Sequence, residues 1–191
     1  MATAREDAEA RFPSEIATHR MTVIRDDGIY RHLRFRRPDT NCYSFDILTW
    51  PGYLAYVGDM GDYVFQRTED MFEFFRHDRI NPGYWAEKIQ AACQSGVREY
   101  SEDMAREWVR QSVKESSASD EIKATADDIA YDEGADNVYR QLRDHEHSED
   151  LFYGWSEASF KDYTWNYIWC CLALVWAIKQ YDASKQAAPK P

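Results

Sequence analysis

The sequence predicts an α+β protein: an N-terminal antiparallel β-meander of about five strands packed against a C-terminal helical part with a buried final helix. Three observations predict it. Between residues 21 and 66, short alternating runs of apolar and polar residues are separated by turns rich in Gly, Pro and Asp. After Thr68 the apolar spacing becomes helical. Near the C-terminus, residues 167–178 form an apolar run of 12 residues. That is too short to span a bilayer and suits a helix enclosed by protein.

The elements follow in order. Residues 1–18 read as a loose or short helical lead-in, with Ser14 after Pro13 as its N-cap. Residues 21–25 read as a strand, and Asp26, Asp27 and Gly28 as a hairpin turn. The next strand, 29–36, sets Leu33 and Phe35 on one face and His32, Arg34 and Arg36 on the other. Residues 42–50 give a third strand with Tyr43, Phe45 and Ile47 on one side, and Pro51-Gly52 turns the chain. Residues 53–57 and 63–66 complete the meander around the Gly58–Asp62 loop. Thr68 or Asp70 caps a helix from Met71 to Arg76. Asn81 and Pro82 start a helix that runs to about Cys93, with Tyr84, Trp85 and Ile89 as its apolar side.

A helix with Glu102 and Asp103 in its first turn follows, its core side made by Met104, Trp108 and Val109, fraying near residues 116–119. Residues 120–132 and 135–144 read as two more amphipathic helices. Ser159 with Asp162 resembles a capping box for the final helix, 160–181. The expected organisation is a single domain: a sheet part over 20–67, a helical part over 68–182 and a disordered tail over 183–191.

The chain has 191 residues, a net charge of −11, and 15% Phe, Trp and Tyr. The acidity argues against non-specific binding to nucleic acid or to an anionic membrane. It is unevenly spread. Residues 1–50 hold eight Arg against eight acids, whereas 101–150 hold six basic and fifteen acidic residues. Cys42, Cys93, Cys170 and Cys171 show no CxxC spacing and suit small apolar residues in a reducing cytosol.

No catalytic residues, metal ligands or cofactor site are assigned. The Gly58–Asp62 loop lacks the ligand spacing of an EF-hand and reads as a hairpin loop. His145 and His147 lie two apart, which on a helix points them in different directions. Two charged features remain. His32, Arg34 and Arg36 form a basic stripe able to hold a phosphate, to pair with the protein's own acidic helices, or to complement a second copy in a homodimer. Glu102, Asp103, Glu107, Asp127, Asp128 and Asp132 form an acidic set able to face a basic protein.

The run ILTWPGYLAYVGDMGDYVFQR (47–67), with EDMFEFFR (69–76), NPGYWAEK (81–88), FKDYTWNYIWCCLAL (160–174) and QYD (180–182), resembles a family of small accessory proteins of temperate tailed bacteriophages and proteobacterial prophages. The resemblance covers about residues 20–182 and is weakest over 95–158. It implies action in the cytoplasm of an infected or lysogenic bacterium and carries no catalytic residues. Small acidic phage proteins of this kind often disable a host defence machine, anti-CRISPR proteins being the prominent example. The expected role is therefore a non-enzymatic inhibitor of a host defence complex. A phosphate- or nucleotide-binding protein and an oligomeric structural protein are the two rival expectations.

Overall fold

The computed structural model describes residues 3–117, 119, 120, 123, 124, 141 and 160–187. The chain forms two compact units. The sheet unit comprises Ala2–Arg98 and Tyr163–Pro191, and the inserted unit is Glu99–Asp162.

In the sheet unit, α1 (Ala4–Ile16) precedes β1 (Arg20–Asp27), β2 (Tyr30–Arg37), β3 (Thr40–Trp50), β4 (Tyr53–Gly58) and β5 (Gly61–Gln66). Two short helices follow, α2 (Met71–Phe75) and α3 (Pro82–Ala86), then β6 (Ile89–Ala92). The six strands make one antiparallel sheet in sequential order. Each of the first four hairpins turns on two residues, since Asp27 opposes Tyr30, Arg37 opposes Thr40, Trp50 opposes Tyr53 and Gly58 opposes Gly61. Such loops fix register, and register fixes which side chains face inward. Gly58 is required by crowding: a Cβ there would stand 2.4 Å from the Ser44 carbonyl oxygen.

Leu33, Phe35, Phe45, Ile47, Leu54, Tyr56, Tyr63 and Phe65 are buried on the inner face of the sheet. The last helix of the described chain, α5 (Trp165–Ala187), crosses that face. Trp176 meets Phe35 edge-on at 5.6 Å, Trp169 meets Phe45 at 6.0 Å, and Tyr167 meets Tyr63 at 5.4 Å. On its other side Trp169 packs on Phe12 of α1, and its indole N–H donates to Glu15 at 2.9 Å. With partners all round, α5 needs no polar stripe, as its sequence predicts.

The α+β class and the buried final helix are as expected, and several boundaries differ. The lead-in is a 13-residue helix that starts at Thr3, whose hydroxyl and Glu6 form a capping box, and Pro13 lies inside it. The helix expected to reach Cys93 stops at Ala86, and residues 89–92 become a sixth strand along the free edge of β5. Satisfying that edge outweighs the helical spacing of Tyr84, Trp85 and Ile89. Residues 161–163 form β8 rather than the start of the last helix, and the buried Thr164 hydroxyl accepts the Tyr167 N–H. α5 continues to Ala187, so 183–187 are helical rather than disordered. A second sheet pairs β7 (Arg98–Tyr100) with β8 (Lys161–Tyr163).

In the inserted unit, α4 (Glu102–Glu115) begins at Ser101, whose hydroxyl accepts the Met104 N–H. Its buried stripe is Ala105, Val109 and Val113; Val109 is in the core as expected and Trp108 is half-buried against Phe160, whereas Met104 is exposed, a correction to the expected core side. The stripe is a strict i, i+4, i+8 row, and Met104 lies one position off it. The helices expected over 120–132 and 135–144, the Ser159 cap, His145 and His147 lie outside the described residues. Among the described residues, no helix is long and apolar enough to cross a membrane.

Candidate functional site

β2 positions its arginines by alternation. Arg31 points inward with Leu33 and Phe35, while His32, Arg34 and Arg36 share the outer face. The inward Arg31 is the centre of a clamp. Its guanidinium makes two 2.8 Å bonds to Asp70, the N-cap of α2, and lies over the Phe72 ring at 4.5 Å. Tyr181 of α5 donates to Asp26 of β1 at 2.8 Å, and Lys185 pairs with the same carboxylate. Burial alone would raise the Asp70 carboxyl, but the Arg31 and Phe72 N–H hydrogen bonds outweigh it and hold it below its ordinary value.

On the outer face, His32 and Arg34 converge on a single carboxylate. Asp46 of β3 accepts from Arg34 at 2.9 and 2.8 Å and lies 2.7 Å from His32 Nε2. Burial raises Asp46, and the Arg34 and His32 bonds more than reverse this, leaving it lowered. Among the described residues the partner of His32 and Arg34 is a neighbouring strand, because cross-strand register sets Arg34 directly opposite Asp46. Arg36, the third member, is exposed and has no ionic or hydrogen-bonded partner among the described residues.

The Gly58–Asp62 loop is a hairpin turn whose carboxylates serve the backbone. Asp59 accepts the Tyr43 N–H at 2.8 Å and Asp62 the Gly58 N–H at 3.2 Å. Among the described residues no His, Cys, Asp and Glu group fits a metal ion. All four cysteines are free; burial pushes the Cys171 thiol up to about 12, and Cys170 is also raised by burial. Such thiols are poor nucleophiles.

Of the acidic set, Glu102, Asp103 and Glu107 lie on α4. Glu102 is half-buried and pairs with Arg106 at 3.0 Å, one turn on. Asp103 and Glu107 are exposed, the latter 3.2 Å from Arg110. Asp127, Asp128 and Asp132 lie outside the described residues. The unit boundary sharpens the uneven charge already evident over residues 101–150. Glu99–Asp162 contains 18 acidic and 7 basic residues, a net of −11, and the remainder of the chain contains 16 of each. The entire net charge of the protein belongs to the inserted unit.

Comparison with known protein families, with curated proteins and with solved structures finds no match for this chain.

Proposed function

We propose that the protein is a non-enzymatic inhibitor, phage-encoded as the resemblance implies, that binds a host defence complex in the bacterial cytoplasm through its inserted acidic unit. The observation that carries this reading is the segregation of charge: a neutral sheet unit bears an insertion with a net of −11. A uniformly acidic surface serves solubility, but concentration in one unit creates a local negative field that steers a basic partner. Proteins that handle nucleic acid carry such basic grooves, and carboxylates compete there for the Lys and Arg that hold phosphates. The contact residues of this reading are Asp103, Glu107, Asp127, Asp128 and Asp132 of the inserted unit. Glu102, tied to Arg106, contributes by shaping the first turn of α4.

The test is affinity capture of partners from a host lysate at physiological salt, with defence inhibition assayed in parallel. Lysine at Asp103, Asp127 and Asp128 together is expected to abolish both capture and inhibition, with the sheet unit's urea unfolding unchanged. Retained inhibition by that folded triple variant overturns the proposal.

A further inference from the structure

The β1–β2 hairpin carries six arginines, and they divide by position. Toward its turn and middle, Arg25, Arg31 and Arg34 pair with Asp27, Asp70 and Asp46. At its open end, Arg20, Arg36 and Arg37 have no carboxylate partner among the described residues. Register makes this worse, because Arg20 stands directly opposite Arg36. Like charges opposed across two strands repel, and an acidic protein has carboxylates enough to avoid the arrangement.

The open end borders a recess of about 640 Å³ between the α1–β1 link (17–20) and the β2–β3 hairpin (37–40). Arg20 and Arg37 line it, with Asp39 as the one carboxylate among its lining residues. His19 also lines it and is only 8% exposed. The His19 Nε2 bonds to the Tyr43 carbonyl at 3.1 Å, while its Nδ1 and the Arg37 Nε are buried without partners among the described residues. Two unmet polar nitrogens beside one recess are unusual in a folded chain, where such groups are almost always satisfied.

Tyr43 supplies an independent sign. It has a φ of +59°, a left-handed conformation that strains a bulky residue. Asp59 holds its N–H, His19 holds its carbonyl, Glu15 accepts from its hydroxyl at 3.0 Å, and its ring stacks on Trp169. The Arg37 guanidinium lies over that ring at 5.8 Å. The strained residue therefore joins His19 and Arg37 beside the recess.

We propose that this recess binds the phosphate group of a small hydroxylated phosphate monoester, held between the Arg20 and Arg37 guanidinium groups. A planar fork from each strand suits the several oxygens of a phosphate. Asp39, able only to accept when ionised, takes a hydroxyl from the rest of the ligand. The volume lies within the range of small-molecule sites, on the order of 300–1,000 Å³. This site is independent of the inserted unit and of the His32–Arg34–Asp46 cluster.

The test is calorimetric titration of the full chain with a nucleoside 5′-monophosphate, ribose 5-phosphate, inorganic phosphate and a short single-stranded oligonucleotide. At least one of the two monoesters is expected to bind more tightly than inorganic phosphate. Arg20→Gln and Arg37→Gln should each weaken that binding about tenfold or more. Arg34→Gln should leave it unchanged. Without ligand, Arg20→Gln should melt at or above the wild-type temperature, because it removes the repulsion from Arg36; a merely structural arginine would show a loss. The proposal is overturned by no monoester binding at concentrations on the order of 1 mM, by binding that survives both glutamine variants, by binding lost in Arg34→Gln, or by preference for the oligonucleotide.

Discussion

The sheet unit and the inserted unit handle charge in opposite ways. In the sheet unit acids and bases are equal in number, and those at its centre are mated, Arg31 with Asp70, Arg34 and His32 with Asp46, Lys185 with Asp26, the open end at Arg20, Arg36 and Arg37 being the exception. In the inserted unit acids outnumber bases by 18 to 7. The lesson is a division of labour. Substitutions of buried or mated groups in the first region should read out in folding, and charge substitutions in the second should read out in association. The sharpest test of the first half is Trp169→Ala. Trp169 is fully buried, packs against Phe12, Tyr43 and Phe45, and donates to Glu15. Its removal should cost about 3–5 kcal/mol in urea unfolding, cavity and lost transfer energy together. A cost below about 1 kcal/mol would mean that α5 is not the keystone of this core.

Two arginines on the same strand refine the comparison, because each meets an aspartate through two bonds and they differ chiefly in burial. The Arg31 side chain is 8% exposed and that of Arg34 is 42% exposed. Truncating Arg31 leaves Asp70 an uncompensated, mostly buried carboxylate, and a loss of about 3 kcal/mol is expected. Truncating Arg34 leaves Asp46 with His32 and some water, and should cost about 1 kcal/mol or less. Equal losses for Arg31→Ala and Arg34→Ala would show that burial does not separate the clamp from the surface cluster.

The sequence reveals the architecture where local and tertiary preferences agree. Alternation around Leu33 and Phe35, the Pro51-Gly52 turn, Asn81 before Pro82 and the apolar run of α5 each stand where expected, whereas Asp26 and Asp27, read as part of a turn, belong to β1 and leave Gly28 and Ile29 to turn the chain. It misleads where a sheet edge or a helix stripe decides. Ile89 lies at helical spacing from Trp85, yet β5 needs a partner for its edge and takes residues 89–92. Met104 and Ala105 look alike in pattern, and only packing chooses Ala105. The basic stripe was legible as a stripe, because alternation alone sets His32, Arg34 and Arg36 on one face. That Asp46 would occupy two of the three was hidden, since it depends on the β2–β3 register. The unpaired end at Arg20, Arg36 and Arg37 was equally hidden, because being without a partner is a property of all the surrounding residues.

Acid titration should expose the difference between the units most gently. Asp70, Asp46 and Asp26 all lie below the ordinary 3.8 in the folded chain, burial being outweighed by their cationic and hydrogen-bonding partners. A depressed carboxyl contributes stability that is full above its unfolded pKa and lost as pH falls through its folded one. The sheet unit should therefore hold its urea midpoint from pH 7 to about 5 and lose it progressively below about 4. Asp70→Asn keeps an oxygen for the Phe72 N–H and removes the titrating charge beside Arg31. This variant should be less stable than wild type at pH 7, and the gap should close as pH drops below 4, where the wild-type carboxyl also becomes neutral. The inserted unit has 11 more acids than bases, beyond what pairs such as Glu102–Arg106 neutralise, so raising salt at pH 7 should screen its self-repulsion while changing the Arg31–Asp70 clamp little. A gap between wild type and Asp70→Asn that stayed constant down to the lowest pH would show that the clamp does not depend on the ionised aspartate. The contrast between mated and unmated charge would then lose its firmest member.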